Sequence, residues 1–150
     1  MSKGEDYARR FDEANKEFIA AVENCPDERW TGEAAGEERS VATVAHHVAS
    51  SHKFIAERTQ MLAAGEQLTP PDIDAMNAEH ASEHPNPSKD EVVQLLRQNG
   101  ARAAEIYRAV PDEGLDKSIE IPGRGKFSVQ DMMEMVAIGH PRMHMESLKG

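Results

Sequence analysis

The chain has 150 residues, enough for a single domain over 1–150 that buries about two-thirds of its unfolded surface. Seventeen Lys and Arg against 27 Asp and Glu give a formal charge of −10, a field that repels phosphate backbones and anionic lipid and argues against nucleic-acid or membrane-surface partners. No apolar run approaches the ~18 residues that span a bilayer, the first residues carry no signal-peptide stretch, and a lone Cys25 suits a reducing cytoplasm, so a cytoplasmic protein is expected.

Four long helical patterns follow in chain order. The first runs from about Gly4 to Asn24, with Tyr7, Phe11, Ala14, Phe18, Ala21 and Val22 on one stripe, and Pro26 stops it. Cys25, beside that proline and with no paired base, is expected only to pack. A polar loop with Trp30 and Gly36 leads to Ser40, the N-cap of a second helix. Its Val41, Val44, Val48, Ile55 and Leu62 face inward, and it ends near Gly65.

Thr69-Pro70-Pro71-Asp72 starts a short helix through Ile73, Met76 and Asn77, before Pro85 and Pro87 break the chain. Ser88 and Glu91 are spaced as a capping box for a third helix through Val92, Leu95, Leu96, Ala103, Ile106 and Val110. Ile119 to Gly125 reads as an extended segment and a plain turn, since no phosphate-binding motif accompanies its glycines. Ser128 caps the fourth helix, with Val129, Met132, Met133, Val136, His140, Met143 and His144 on its inner stripe. The fold class is all-α: a four-helix bundle with a long link between the second and third helices. Met132, Met133, Met135, Met143 and Met145, at helical spacing, are expected to fill core gaps rather than hold a soft metal.

The chemistry rests on histidines. His140 and His144 stand four apart on the fourth helix, at about 20° and 60° from Val129, so both rings can reach one point inside the stripe. Buried imidazoles need partners. Either backbone groups satisfy them, or a divalent ion binds one nitrogen of each ring. A third ligand is available near His46-His47. His47 lies about 10 Å along the second helix, and the midpoint of His140 and His144 lies about 12 Å from the chain's end, so antiparallel helices would bring the three to one level. The helical wheel itself places His52 closer to the apolar stripe than His47, with His46 pointing away. Pro141 between the paired histidines either kinks the helix tolerably or breaks it; the helical pattern from Arg142 through Leu148 favours the kink. Asn77, Glu79, His80 and His84 read as solvated residues of the long link, near a pocket mouth.

Ser40-Val41-Ala42-Thr43-Val44-Ala45-His46-His47-Val48-Ala49, followed far downstream by His140-x3-His144, resembles the DinB-like superfamily. Within it, the branch of bacillithiol and mycothiol S-transferases and mycothiol-dependent maleylpyruvate isomerase is similar. The resemblance implies an up-down-down-up bundle, a homodimer, and a zinc or nickel ion. It also implies that the ligands are His47, His140 and His144, choosing His47 over His52 by analogy. Pro141 departs from the family pattern.

Three imidazoles leave a position open on a divalent ion, the mark of a catalytic centre. The expected function is a metal-dependent enzyme with a small-molecule substrate, transferring a low-molecular-weight thiol as cosubstrate or hydrolysing a bond. The alternative is a non-catalytic metal-binding or stress-associated module, which a fourth ligand from His52 or His84 would indicate.

Overall fold

Serine or aspartate side chains close the N-terminus of each long helix in the computed structural model, which describes residues 2–149. In chain order the elements are α1 (Lys3–Glu23), α2 (Asp27–Trp30), α3 (Val41–Ala63), α4 (Ile73–Glu83), α5 (Lys89–Arg108), β1 (Ser118–Ile121), β2 (Gly125–Ser128), α6 (Val129–Asp131), a π-helical stretch (Met132–Ile138) and α7 (Gly139–Lys149). Ser40 accepts from the Thr43 amide at 3.1 Å and Ser88 from the Glu91 amide at 3.1 Å. Ser128 and Asp131 form a full capping box, as do Ser2 and Glu5. At Ser88 only half the expected box forms, because the Glu91 carboxylate turns to His46, 3.5 Å from its Nε2.

Contacts between helices give the chain direction of each. Gly4, at the start of α1, sits against the carbonyls of Tyr107 and Val110 at the end of α5, so α1 and α5 are antiparallel. Asn99 on α5 donates to the Ala49 carbonyl on α3 at 2.9 Å, and Glu91 lies beside His46, so α3 and α5 run parallel. Tyr7 donates to Glu134 at 2.9 Å, and Glu17 faces Arg142, so α1 runs parallel to the C-terminal helix. The Ala35 amide, just before α3, donates to the Ser147 carbonyl near the chain's end, which makes α3 and α7 antiparallel. The result is an up-down-down-up four-helix bundle.

Two apolar clusters fill it. One gathers Tyr7, Phe11, Ile55, Tyr107 and Met133; the other gathers Phe18, Trp30, Val44, Val48 and Leu96, with Cys25 packed inertly at its edge. A buried polar pair links the helices at mid-height: Asn15 Nδ2 donates to the Leu96 carbonyl at 3.1 Å while Asn15 Oδ1 meets His52 Nε2 at 2.9 Å. Between α5 and the C-terminal helix, the expected extended segment and turn is a two-stranded antiparallel hairpin, with Ile119 opposite Phe127 and both against the core. Its turn needs Gly123 and Gly125, at φ of 80° and 84°.

Gly4 is fixed by close packing. A Cβ there would stand 2.7 Å from both the Tyr107 and Val110 carbonyl oxygens, backbone atoms that cannot swing aside. Gly4→Ala should therefore lower stability by about 2 kcal/mol despite alanine's helix propensity, a fall of about 4–8 °C in Tm by thermal denaturation.

The C-terminal helix departs from a regular wheel. Each turn of the π-helical stretch holds more residues than an α turn, so across Met132–Ile138 the inner stripe slips by roughly one residue. Buried positions after Met133 are Ala137, Ile138, Pro141, His144, Ser147 and Leu148. Met143, expected inside, is 61 % exposed, and Val136 is only half-buried. Pro141 neither breaks the helix nor ends it: it is the third residue of α7, where the amide it lacks has no partner within α7. The widened turn upstream relieves the clash its ring would make with the Ala137 carbonyl in a regular α-helix.

Candidate metal centre

His47, on α3, faces α7 across the antiparallel crossing. Its Nε2 lies 3.1 Å from His140 Nε2. The His140 and His144 ring centroids are 4.6 Å apart, and His47 stands 4.9 Å and 5.2 Å from them, all three rings nearly perpendicular to one another. One nitrogen of each ring lies within 4.8 Å of the other two. The helical offset of four residues brings His140 and His144 to one side of α7, where His144 is 8 % exposed.

Burial sets the charge state of these rings. Desolvation, reinforced by neighbouring rings and Arg39, pushes His47 down to about 2 and His140 down to about 3, and desolvation also lowers His144. At neutral pH all three are uncharged, the state a borderline divalent ion requires. The loop before α3 adds two charged groups. Arg39 pairs with Glu37 Oε1, and Glu37 Oε2 lies 3.7 Å from His144 Nδ1. Glu37 Oε2, Arg39 Nη1 and His140 Nδ1 are buried without hydrogen-bond partners, so the site is built of polar atoms that protein alone does not satisfy.

The other candidates separate cleanly. His52 does point inward, as the wheel predicts, but it is 1 % exposed, bonded to Asn15 and edge-on to Phe11; it joins no other histidine. Met132 and Met133 are core residues, whereas Met135 and Met143 are exposed, so the methionines do not converge. Glu79 is exposed and Asn77 half-buried.

The reading of His80 and His84 as solvated link residues is corrected. His80, on α4, and His84, which caps its C-terminus, both meet His46, whose Nδ1 is 2.8 Å from His80 Nε2 and whose ring stacks on His84 at 4.0 Å. The second H-x3-H spacing, at His80 and His84, was the available signal; its weakly amphipathic helix concealed it. Nothing in the sequence marks Glu37 or Arg39, which reach the site from an irregular loop.

Residues 10–148 match the family model described as the DinB superfamily. No curated protein matches the chain by sequence. Among solved structures it is similar to YfiT from Bacillus subtilis, described as a probable metal-dependent hydrolase with an unusual four-helix bundle topology. That match has 18 % identity and a TM-score of 0.79, covering 99 % of this chain and 86 % of that one. It is also similar to the mycothiol-dependent maleylpyruvate isomerase, at 12 % identity and a TM-score of 0.78, covering 97 % of this chain and 60 % of that one. At these identities the likeness is one of fold.

Proposed function

The chain belongs to the DinB superfamily, and on that footing we propose that it is a divalent-metal-dependent enzyme whose ligands are His47, His140 and His144. The reading rests on one observation: three neutral imidazoles from two helices converge on one point. Imidazole donors suit zinc and nickel alike. No fourth histidine closes the set, because His52 is held by Asn15 and His84 stacks on His46. That leaves an open face, which supports catalysis over a closed structural site.

A divalent ion held there supplies a Lewis acid and lowers the pKa of a thiol or water presented to it. Glu37 Oε2 stands 3.7 Å from His144 Nδ1, where its charge favours a proton on that nitrogen and so leaves Nε2 for the ion. The free Nη1 of Arg39 offers a hydrogen bond to an anionic group on the substrate. The reaction we favour is transfer of a low-molecular-weight thiol, the cosubstrate class of the mycothiol-dependent relative; hydrolysis is the second reading, after the description of YfiT.

Elemental analysis of protein purified without a histidine tag, alongside conjugation assays with bacillithiol, mycothiol and glutathione, tests this. Less than about a tenth of an ion per chain, with no uptake on titration, would sink the metal reading. Metal-dependent hydrolysis without thiol conjugation would select the second reaction. Glu37→Gln should weaken metal binding by about 10–100-fold while leaving the fold intact, measured by competition with a chromophoric chelator.

A further inference from the structure

The consecutive pair His46-His47 points two ways, and only His47 belongs to the centre described above. His46, 4 % exposed, faces α4. Its Nδ1 and His80 Nε2 are 2.8 Å apart, a separation at which one nitrogen carries a proton directed at the other's lone pair. The His84 ring lies 4.0 Å from His46 and 4.9 Å from His80. One nitrogen of each of the three rings lies within 4.8 Å of the other two.

Three further observations separate this group from a chance contact. The other nitrogen of His46, Nε2, faces Glu91 Oε2 at 3.5 Å, the outer carboxylate that commonly orients a ligating imidazole. His80 Nδ1 is buried without a partner. The third concerns α4, an 11-residue helix with no buried residue and with Ile73 and Met76 exposed, so no apolar face holds it to the bundle. A helix of that length is marginal alone. Just past its C-terminus, the Thr43 hydroxyl donates to the His84 and Pro85 carbonyls at 2.8 Å and 3.2 Å.

We propose that His46, His80 and His84 form a second divalent-metal site, distinct from that of His47, His140 and His144, taking a zinc- or nickel-class ion through three imidazoles. When the ion binds, the proton lying between His46 and His80 moves to the outer nitrogen of the ring that carried it, so both rings stay neutral, and Glu91 stands 3.5 Å from the outer nitrogen of His46. Each site then uses one member of the α3 dipeptide and one H-x3-H pair from a crossing helix. The two lie side by side, with the rings of His47 and His80 5.7 Å apart. The charge of Arg39, paired with Glu37, disfavours protonation of rings in both groups. The second ion clamps α4 beside the first site.

The test uses the full chain, tag-free and stripped by chelation, titrated with zinc alone; bound ions are counted by elemental analysis and α4 is followed by amide hydrogen exchange. Wild type should bind two ions per chain, and one of them should slow exchange across residues 73–83. The variant carrying His80→Ala and His84→Ala should bind one ion and show no slowing in α4. It should fold normally, because α4 places nothing in the core. His144→Ala should retain one ion and still protect α4. Saturation of wild type at one ion that His144→Ala removes would overturn the second site and leave the proposed function standing. An ion lost only in the α4 variant would do the reverse. Two ions bound by the α4 variant, or α4 exchange indifferent to metal, would also overturn the second site.

Discussion

Replacing His47 with alanine should abolish metal-dependent turnover and weaken the ion held by His140 and His144 by at least about 100-fold, more than loss of an outer-shell partner does. The reason is geometric. His140 and His144 lie on one helix, and only His47 bridges to a second, its Nε2 meeting His140 Nε2 at 3.1 Å. Without it the two remaining ligands would come from one helix alone. The same change should remove that ion's contribution to stability. An ion present at about 1,000 times its dissociation constant adds about 4 kcal/mol, or roughly 8–16 °C in Tm for a domain of this size. Thermal melts with and without chelator measure it. A His47→Ala protein that keeps its full chelator-sensitive shift at this centre would show that His47 is not a ligand. The α4 variant described above separates any shift arising at the second site.

The second large effect is acid sensitivity of the metal-free chain. Burial pushes His52 down to about 4, His140 to about 3 and His47 to about 2. Each folded-state pKa lies below the ordinary imidazole value, so the unfolded chain binds more protons, and stability falls as pH drops below about 6.5. For His52 that loss continues to about pH 4, where the folded ring itself begins to titrate. By pH 5 a ring whose folded pKa is well below 5 has lost about 2 kcal/mol, limited by protonation of the unfolded imidazole. Three such rings together give a loss on the order of 6 kcal/mol, comparable to the whole stability of many domains. Urea denaturation of apoprotein from pH 7.5 to 5 should show this slope. His52→Gln, which keeps a polar partner for Asn15 but cannot titrate, should flatten it by about 2 kcal/mol. An unchanged slope would mean that His52 is not a buried neutral ring.

Bound metal should oppose that acid loss. Ions bind the neutral rings, so holo protein stays folded to lower pH than apo protein until protons displace the metal. Comparing the two acid transitions therefore links the stability of the bundle to the occupancy of its histidines.

Much of the fold was legible in the sequence because its signals are short-range. The Ser40, Ser88 and Ser128 caps act within three residues, and each stands where its helix begins. Apolar periodicity identified the inward faces of α1, α3 and α5, including Phe11, Val48 and Leu96, all fully buried. Helix rise and an antiparallel crossing put His47 level with His140 and His144, but the wheel favoured His52, and only the family resemblance chose His47. The wheel failed on the C-terminal helix because it assumes a constant turn, and the π-helical stretch beside Pro141 shifts the register. That shift expels Met143, whereas His144 is buried as its place on the stripe implies.

By itself, the sequence determined four long helices, three of them with their caps, a charge hostile to polyanions, and a histidine pair spaced to share one point. Tertiary structure alone decided which partner each remaining histidine takes. His46 and His47 are neighbours in the chain, yet one faces α4 and the other α7, while His52 turns to Asn15 on α1. Periodicity describes a helix's own faces; which helix lies opposite each face is set by packing between segments distant in sequence. For seven histidines in one bundle, that packing separates one ring serving as a core hydrogen-bond partner from six that gather in two groups of three.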